Sequence, residues 1–299
     1  MMKAVLAPSR YMFPLILGCC LTVLAACGGV SPESSYEPSL QNLLATNVIG
    51  GKEAPEDFQK SNGIVGLLTS YGQGRTQVCT GTLITRDVVL TAAHCVEQED
   101  FNFADIYFAN EIQPSSDFLN ATDESTRSES QIVRAHAIKI NPRWKGSGVV
   151  QGNDIALVFL DRKAPADFQT SGLPTARQAS RLRGQSVVLA GFGLSRHQNT
   201  QESALTERLL LRHVDSVVID RVDFSKKELR VVDKATGLKG VCVGDSGGPA
   251  YIQHKDGRYI QVGVLSRVQA DQYGNCNQGI SFYSHVGEHI QWIRKELGL

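Results

Sequence analysis

From residue 48 to residue 285 the chain alternates short β-branched or apolar runs with turn residues. The runs cover residues 63–69, 77–84, 88–91, 105–108, 132–140, 155–160, 186–190, 209–218, 250–253, 259–265 and 280–285. Many short strands with few helical stretches between them predict an all-β, antiparallel sandwich or barrel architecture. The last segment reads differently. Val286, Ile290, Ile293 and Leu297 recur at spacings of four, three and four, which places one apolar stripe on a terminal helix over 286–298. Residues 161–180, with Pro165 and Pro174, mark the best boundary between two halves. Ahead of Val48, residues 28–47 are rich in Gly, Ser, Pro and Glu without a sustained period and predict a flexible tether.

Composition narrows the function classes. Lys+Arg and Asp+Glu number 30 each, so no net charge is available to attract nucleic acid. A chain that is 42% hydrophobic and 20% charged buries a core rather than staying disordered. Lys3 and Arg10 precede an almost uncharged apolar run over 11–26, the layout of a secretory signal too short for a comfortable membrane span. The run ends Leu24-Ala25-Ala26-Cys27, which resembles the bacterial lipobox. That resemblance implies a signal peptide over 1–26, a diacylated Cys27 opening a tether or propeptide over 27–47, and a place on the outer membrane or in the periplasm. The alternative is an ordinary signal with an incidental Cys27; export follows in both cases. Of the 7 cysteines, Cys19 and Cys20 leave with the signal and Cys27 carries lipid. Cys79, Cys95, Cys242 and Cys276 remain, an even number that predicts two disulfides with three possible pairings.

Three motifs carry chemistry. Thr91-Ala92-Ala93-His94-Cys95 follows a strand, Asn153-Asp154-Ile155-Ala156-Leu157 opens another, and Gly244-Asp245-Ser246-Gly247-Gly248-Pro249 sits in a glycine-rich turn. A serine hydroxyl is a weak nucleophile at neutral pH and needs a base that takes its proton and returns it to the leaving group. Histidine titrates in the right range, and a buried carboxylate holds it in one tautomer. Together the motifs resemble those of the trypsin/chymotrypsin serine proteases, in that family's chain order, and Val48-Ile49-Gly50-Gly51 matches the site where family zymogens are cut.

The resemblance covers 48–299 and implies two six-stranded antiparallel β-barrels, about 62–162 and 178–285, in one protease domain. It implies a serine endopeptidase with His94, Asp154 and Ser246 as the triad, and backbone N–H groups of Gly244 and Ser246 as the oxyanion hole. It pairs Cys79 with Cys95 and Cys242 with Cys276. It puts Gly240, Val241, Ser266, Val268 and Ser281 around the substrate pocket. Gly240 at the pocket base, where a carboxylate would select Arg or Lys, implies a small or medium apolar P1 residue. Arg267 and Val268, after Ser266, depart from the family's aromatic residue followed by glycine. Activation is expected by an outside protease at Asn47–Val48, freeing an amine that pairs with Asp245 and cutting the lipidated tether. The expected partners are protein or peptide substrates, that activating protease, and the membrane through Cys27; a monomer is expected, with no nucleic acid.

Two other classes share these residues. Gly244 to Gly248 also fits the nucleophile elbow of α/β-hydrolase esterases, although Gly248-Pro249 blocks the helix that elbow needs and the His and Asp motifs lie upstream. An inactive homologue used as a binding or adhesion module would normally lose a triad residue. The other histidines (136, 197, 213, 254, 285 and 289) lie in no metal-spacing motif and are expected at the surface or in packing, so no metal or cofactor is expected. The sequon Asn120-Ala121-Thr122 reads as a polar loop.

Overall fold

The computed structural model describes residues 48, 50–97, 100–112, 131–147, 149, 152–193, 209–237, 239–269, 276 and 279–299. The expected signal, Cys27, the tether and the Asn120 sequon lie outside them. Strand β1 (Lys52–Glu53) and helix α1 (Glu56–Asn62) lead into β2 (Ile64–Tyr71), β3 (Thr76–Thr85), β4 (Val88–Thr91), β5 (Phe101–Tyr107), β6 (Glu111–Ile112), β7 (Ile132–Ile140) and β8 (Ala156–Leu160). After helix α2 (Ala176–Ala179) come β9 (Ser186–Gly191), β10 (Leu209–Leu210), β11 (Arg212–Asp223), β12 (Glu228–Val232), β13 (Pro249–Gln253), β14 (Tyr259–Val268) and β15 (Ile280–His285). Helix α3 (Val286–Glu296) ends the chain.

Strands β2, β3, β4, β8, β7 and β5 close one antiparallel barrel. The ring β11–β12–β15–β14–β13–β9 closes a second through the β9–β11 pairing, with β1 on the outside of β11. This is the chymotrypsin-like, all-β architecture the resemblance implied. It leaves no place for an α/β-hydrolase elbow, because Ser246 is followed by strand β13 and not by a helix.

Strand β2 shows why the two barrels adhere. All eight of its residues are buried. Successive side chains in a strand point to opposite faces, so Val65 and Leu67 enter the core of the first barrel. Ile64 and Leu68 enter a separate cluster with Ala190, Phe192 and Tyr251 of the second barrel. One continuous apolar run thus supplies a core and an interface.

Helix α3 returns to the first barrel, where Val286 and Ile293 join its core. Its buried positions are Val286, His289 and Ile293, so His289 takes an inward place while the expected Ile290 is only half-buried. The helix stops at Glu296, two residues short of the expected end, with Gly298 at φ 72° beyond it. The run expected over 209–218 divides at Leu211, since β10 pairs with β6 whereas β11 pairs with β9 and β12. Helix α1 carries no apolar stripe: it buries Gln59, whose Nε2 donates to the carbonyls of Ile64 and Ala109 at 3.2 and 2.9 Å.

Both implied disulfides are present, Cys79–Cys95 and Cys242–Cys276, spanning 16 and 34 residues. A loop of about 15 residues is worth roughly 3 kcal/mol in the chain-entropy account.

Because Ile293 is fully buried in the first barrel's core, Ile293→Ala should destabilise the protein by about 2–5 kcal/mol. The half-buried Ile290→Ala should cost clearly less, and urea unfolding of both variants measures the order.

Candidate active site

His94 lies in a short 3-10 turn (Ala93–Cys95) directly after β4, and Asp154 lies just ahead of β8. Those strands are neighbours, with Thr91 opposite Ala156, so the two turns emerge at the same end of the first barrel. Asp154 is 1% exposed. Its Oδ1 accepts the His94 backbone N–H at 2.9 Å, and its Oδ2 lies 2.7 Å from His94 Nδ1. A carboxylate can only accept, so Nδ1 carries the proton and Nε2 of the neutral ring is left as the acceptor. Ser266 Oγ, from β14 of the second barrel, donates to the same Oδ2 at 2.7 Å.

The backbone around Asp154 is held as firmly as its side chain. Ser284 Oγ donates to the Asp154 carbonyl at 2.8 Å. His289 Nε2 lies 2.7 Å from the Gly152 carbonyl, and Asn141 Nδ2 lies 3.3 Å from its Nδ1. His289 is therefore a neutral donor through Nε2, and burial lowers its pKa to about 4. Expected from the sequence at the surface or in packing, His289 is instead buried on α3 and clamps the backbone ahead of Asp154.

Ser246 sits in the turn between Cys242 and β13, which packs against Thr80 and Thr91 of the first barrel. A Cβ at Gly247, whose φ is 79°, would lie 2.1 Å from Thr91 Oγ1 and 2.4 Å from the Thr80 carbonyl. Only glycine brings the serine turn this close to the first barrel. Thr80 N–H donates to the Ser246 carbonyl at 2.8 Å, and Thr80 Oγ1 donates to the Gly244 carbonyl at 3.2 Å. Gly244 has φ 94°, consistent with the expected need for glycine there. Among the described residues, neither the Gly244 nor the Ser246 N–H donates to a protein acceptor, and no hydrogen bond joins Ser246 Oγ to His94. In free enzymes such a contact often tightens only when substrate binds.

Asp245 is completely buried. Its oxygens accept the N–H of Gly193 at 2.8 Å and of Cys242 at 2.9 Å. A Cβ at Gly193 would come within 2.6 Å of the carboxylate, so this close approach also requires glycine. Burial pushes the Asp245 carboxyl up to about 6, against the two N–H donors that favour its ionised form. Val48 is buried in the second barrel's core with Val241, Leu265 and Tyr283.

Of the expected pocket residues, Val241 is buried in the second barrel's core and Ser266 is engaged by Asp154. Val268 on β14 stands opposite Ser281 on β15, and a Cβ at Gly240 would lie 3.5 Å from Gly279 Cα. Arg267 folds away onto β12 and β15, with its guanidinium 4.1 Å over the Phe282 ring and paired to the buried Glu228 carboxylate. His94, Cys79 and Cys95 bring three potential metal-ligand atoms within 4.8 Å, but the two sulfurs are bonded to each other and offer no thiolate.

Residues 48–293 match the profile of the family described as Trypsin. Chymotrypsin-like elastase family member 1 of Homo sapiens is 28% identical over 265 residues, covering 86% of this chain and 96% of that protein. The protein of the same name from Canis lupus familiaris is 28% identical over 264 residues. Serine protease filzig of Drosophila melanogaster is 28% identical over 244 residues, 79% of this chain and 14% of its own length. A solved structure described as HL collagenase shares the fold with a TM-score of 0.61 at 21% identity, covering 83% of this chain and 98% of its own.

The raised pKa of Asp245 sets a pH dependence. Its folded value of about 6 lies above the unfolded 3.8, so the intact chain holds this proton more tightly when folded. The group's contribution to stability is therefore greatest below pH 4 and is lost as pH rises through 6, by ~3 kcal/mol in all. His289 acts with the opposite sign, its lowered pKa of about 4 adding stability as pH rises toward 6.5. The difference between Asp245→Asn and the parent isolates Asp245. In urea unfolding of the intact chain, the variant's relative stability should rise by ~2 kcal/mol between pH 4 and pH 7.

Proposed function

The chain belongs to the trypsin family and is a serine endopeptidase, and on that premise we propose that Ser246, His94 and Asp154 perform the hydrolysis. His94 Nε2 takes the Ser246 proton as Oγ attacks the scissile carbonyl. The N–H groups of Gly244 and Ser246 receive the oxyanion, and His94 passes the proton to the leaving amine. Water, deprotonated by the same imidazole, then releases the acyl group and restores Ser246. The observation that carries this reading is the buried Asp154 carboxylate, which spends one oxygen on His94 Nδ1 at 2.7 Å while Ser266 supports it from the other barrel. The two unengaged N–H groups beside Ser246 support the oxyanion assignment; each such donor is worth about 2.7–4 kcal/mol in the transition state.

The intact chain is read as a zymogen cut between Asn47 and Val48. Val48 already sits in the second barrel's core, and its φ of 45° is a left-handed conformation poorly suited to a β-branched residue. Cleavage abolishes that torsion. It also creates an ammonium that would neutralise the buried Asp245 carboxylate, whose loop continues into Ser246. Gly240, Val268 and Ser281 favour an uncharged P1 residue of small or medium size, with Asn47 cut by a separate protease. Export and lipid anchoring through Cys27 rest on Leu24-Ala25-Ala26-Cys27, and the cut would release the protease domain from its anchor.

Three measurements test these assignments. A fluorophosphonate probe should label the 48–299 form and fail to label Ser246→Ala, whose turnover should fall by at least about 10³-fold. Peptide-library profiling should show small or medium apolar P1 residues; dominance of Arg or Lys would overturn the pocket assignment. N-terminal sequencing of active enzyme should begin at Val48, and a start at Cys27 would overturn activation by release.

A further inference from the structure

Thr80 stands on β3 of the first barrel, immediately after Cys79, and is fully buried. Its hydroxyl bridges two backbone groups of the second barrel. It donates to the Gly244 carbonyl at 3.2 Å and accepts the Phe192 N–H at 3.0 Å. Thr80 N–H holds the Ser246 carbonyl at 2.8 Å, and Thr91 Oγ1 donates to the Thr80 carbonyl at 2.9 Å.

The peptide unit joining Gly244 to Asp245 lies between the two N–H groups assigned to the oxyanion. Its N–H, that of Asp245, donates to the Cys242 carbonyl at 3.1 Å. Its carbonyl is the one Thr80 Oγ1 holds, so the plane is pinned at both ends. The Phe192 N–H on the other side of the hydroxyl precedes Gly193, whose N–H holds Asp245. One hydroxyl therefore fixes the oxyanion loop and the segment against which that loop closes.

We propose that Thr80 is a positioning residue for the oxyanion hole, acting through its hydroxyl on the Gly244–Asp245 peptide. The inference rests on the reading of Gly244 and Ser246 as oxyanion donors. Removing the hydroxyl strands a buried carbonyl and a buried N–H. Their strain is relieved by turning the peptide, which misaims the Gly244 and Ser246 donors on either side. Loss falls on the transition state, because the ground-state carbonyl depends less on these donors.

The test compares Thr80→Ser, Thr80→Ala and Thr80→Val in the processed enzyme, on a peptide ester or amide with an apolar P1 residue. Thr80→Ala and Thr80→Val should lose about 10- to 100-fold in kcat with KM within about threefold. Inhibition by a peptide aldehyde, whose adduct places an oxyanion in the hole, should weaken by the same factor. Thr80→Ser, which keeps the hydroxyl, should stay within about threefold of the parent on both. Thermal unfolding separates loss of rate from loss of fold, and the Ser–Ala contrast decides the matter if the valine variant is unstable. Parental kcat in Thr80→Ala, or an equal fall in Thr80→Ser, would overturn the proposal. Ser246→Ala on the same substrate separates the two levels. If it is inactive while Thr80→Ala is parental, the role of Thr80 alone fails; if it retains turnover, the nucleophile assignment fails and the proposal with it.

Discussion

A carboxylate buried between two barrels governs this structure. Taking Asp154 out of water costs several kcal/mol unless donors replace its hydration. The donors come from both sides of the cleft: the backbone and ring of His94 from the first barrel, and the hydroxyl of Ser266 from the second. Neither barrel alone can satisfy it. The charge therefore makes the relative placement of the barrels a condition of its own stability, and the same placement brings the Ser246 turn against Thr80 and Thr91.

Asp245 presents the same problem with a different solution. Asp154 faces an imidazole and a hydroxyl, whereas Asp245 has two backbone N–H donors and a carboxyl pKa pushed up to about 6. The first arrangement is complete in the intact chain. The second gains most from a cation, and Val48 lies in the core of the same barrel. On the zymogen reading, the two carboxylates divide the work: one orients the base at all times, and the other waits for a charge that only cleavage supplies.

The features legible in the sequence were those encoded locally. Short β-branched or apolar runs between turn residues marked most strands, and the spacing of Val286, Ile290, Ile293 and Leu297 marked α3, although Ile290 is only half-buried and Leu297 lies just past the helix. The short motifs around His94, Asp154 and Ser246 carried the family likeness, and with it the two barrels and both disulfides. What escaped was polar and distant in the chain. Helix α1 buries Gln59 through side-chain hydrogen bonds, so no hydrophobic stripe announces it. Strand β12 begins at Glu228, a buried charge that depends on Arg267 of β14. Arg267 stood out as a departure from the family pattern, yet its partner could be named only once β12, β15 and β14 were seen side by side.

The residues that join the barrels belong to this second class. Thr80, Ser266 and Ser284 are small hydroxyl side chains in strands, indistinguishable in sequence from the many that merely tolerate a pleated surface. Each reaches a group more than a hundred residues away: Gly244 from Thr80, and Asp154 from Ser266 and Ser284. A hydroxyl suits this work because it can donate to one buried backbone group while accepting from another, as Thr80 does with Gly244 and Phe192. A larger polar side chain would hold the barrels apart, and an apolar one would leave both backbone groups unpaired. The barrels are thus joined by residues too small to form a recognisable motif, and on the proposed mechanism the Ser246 turn depends on them as much as on the three motifs that reveal it.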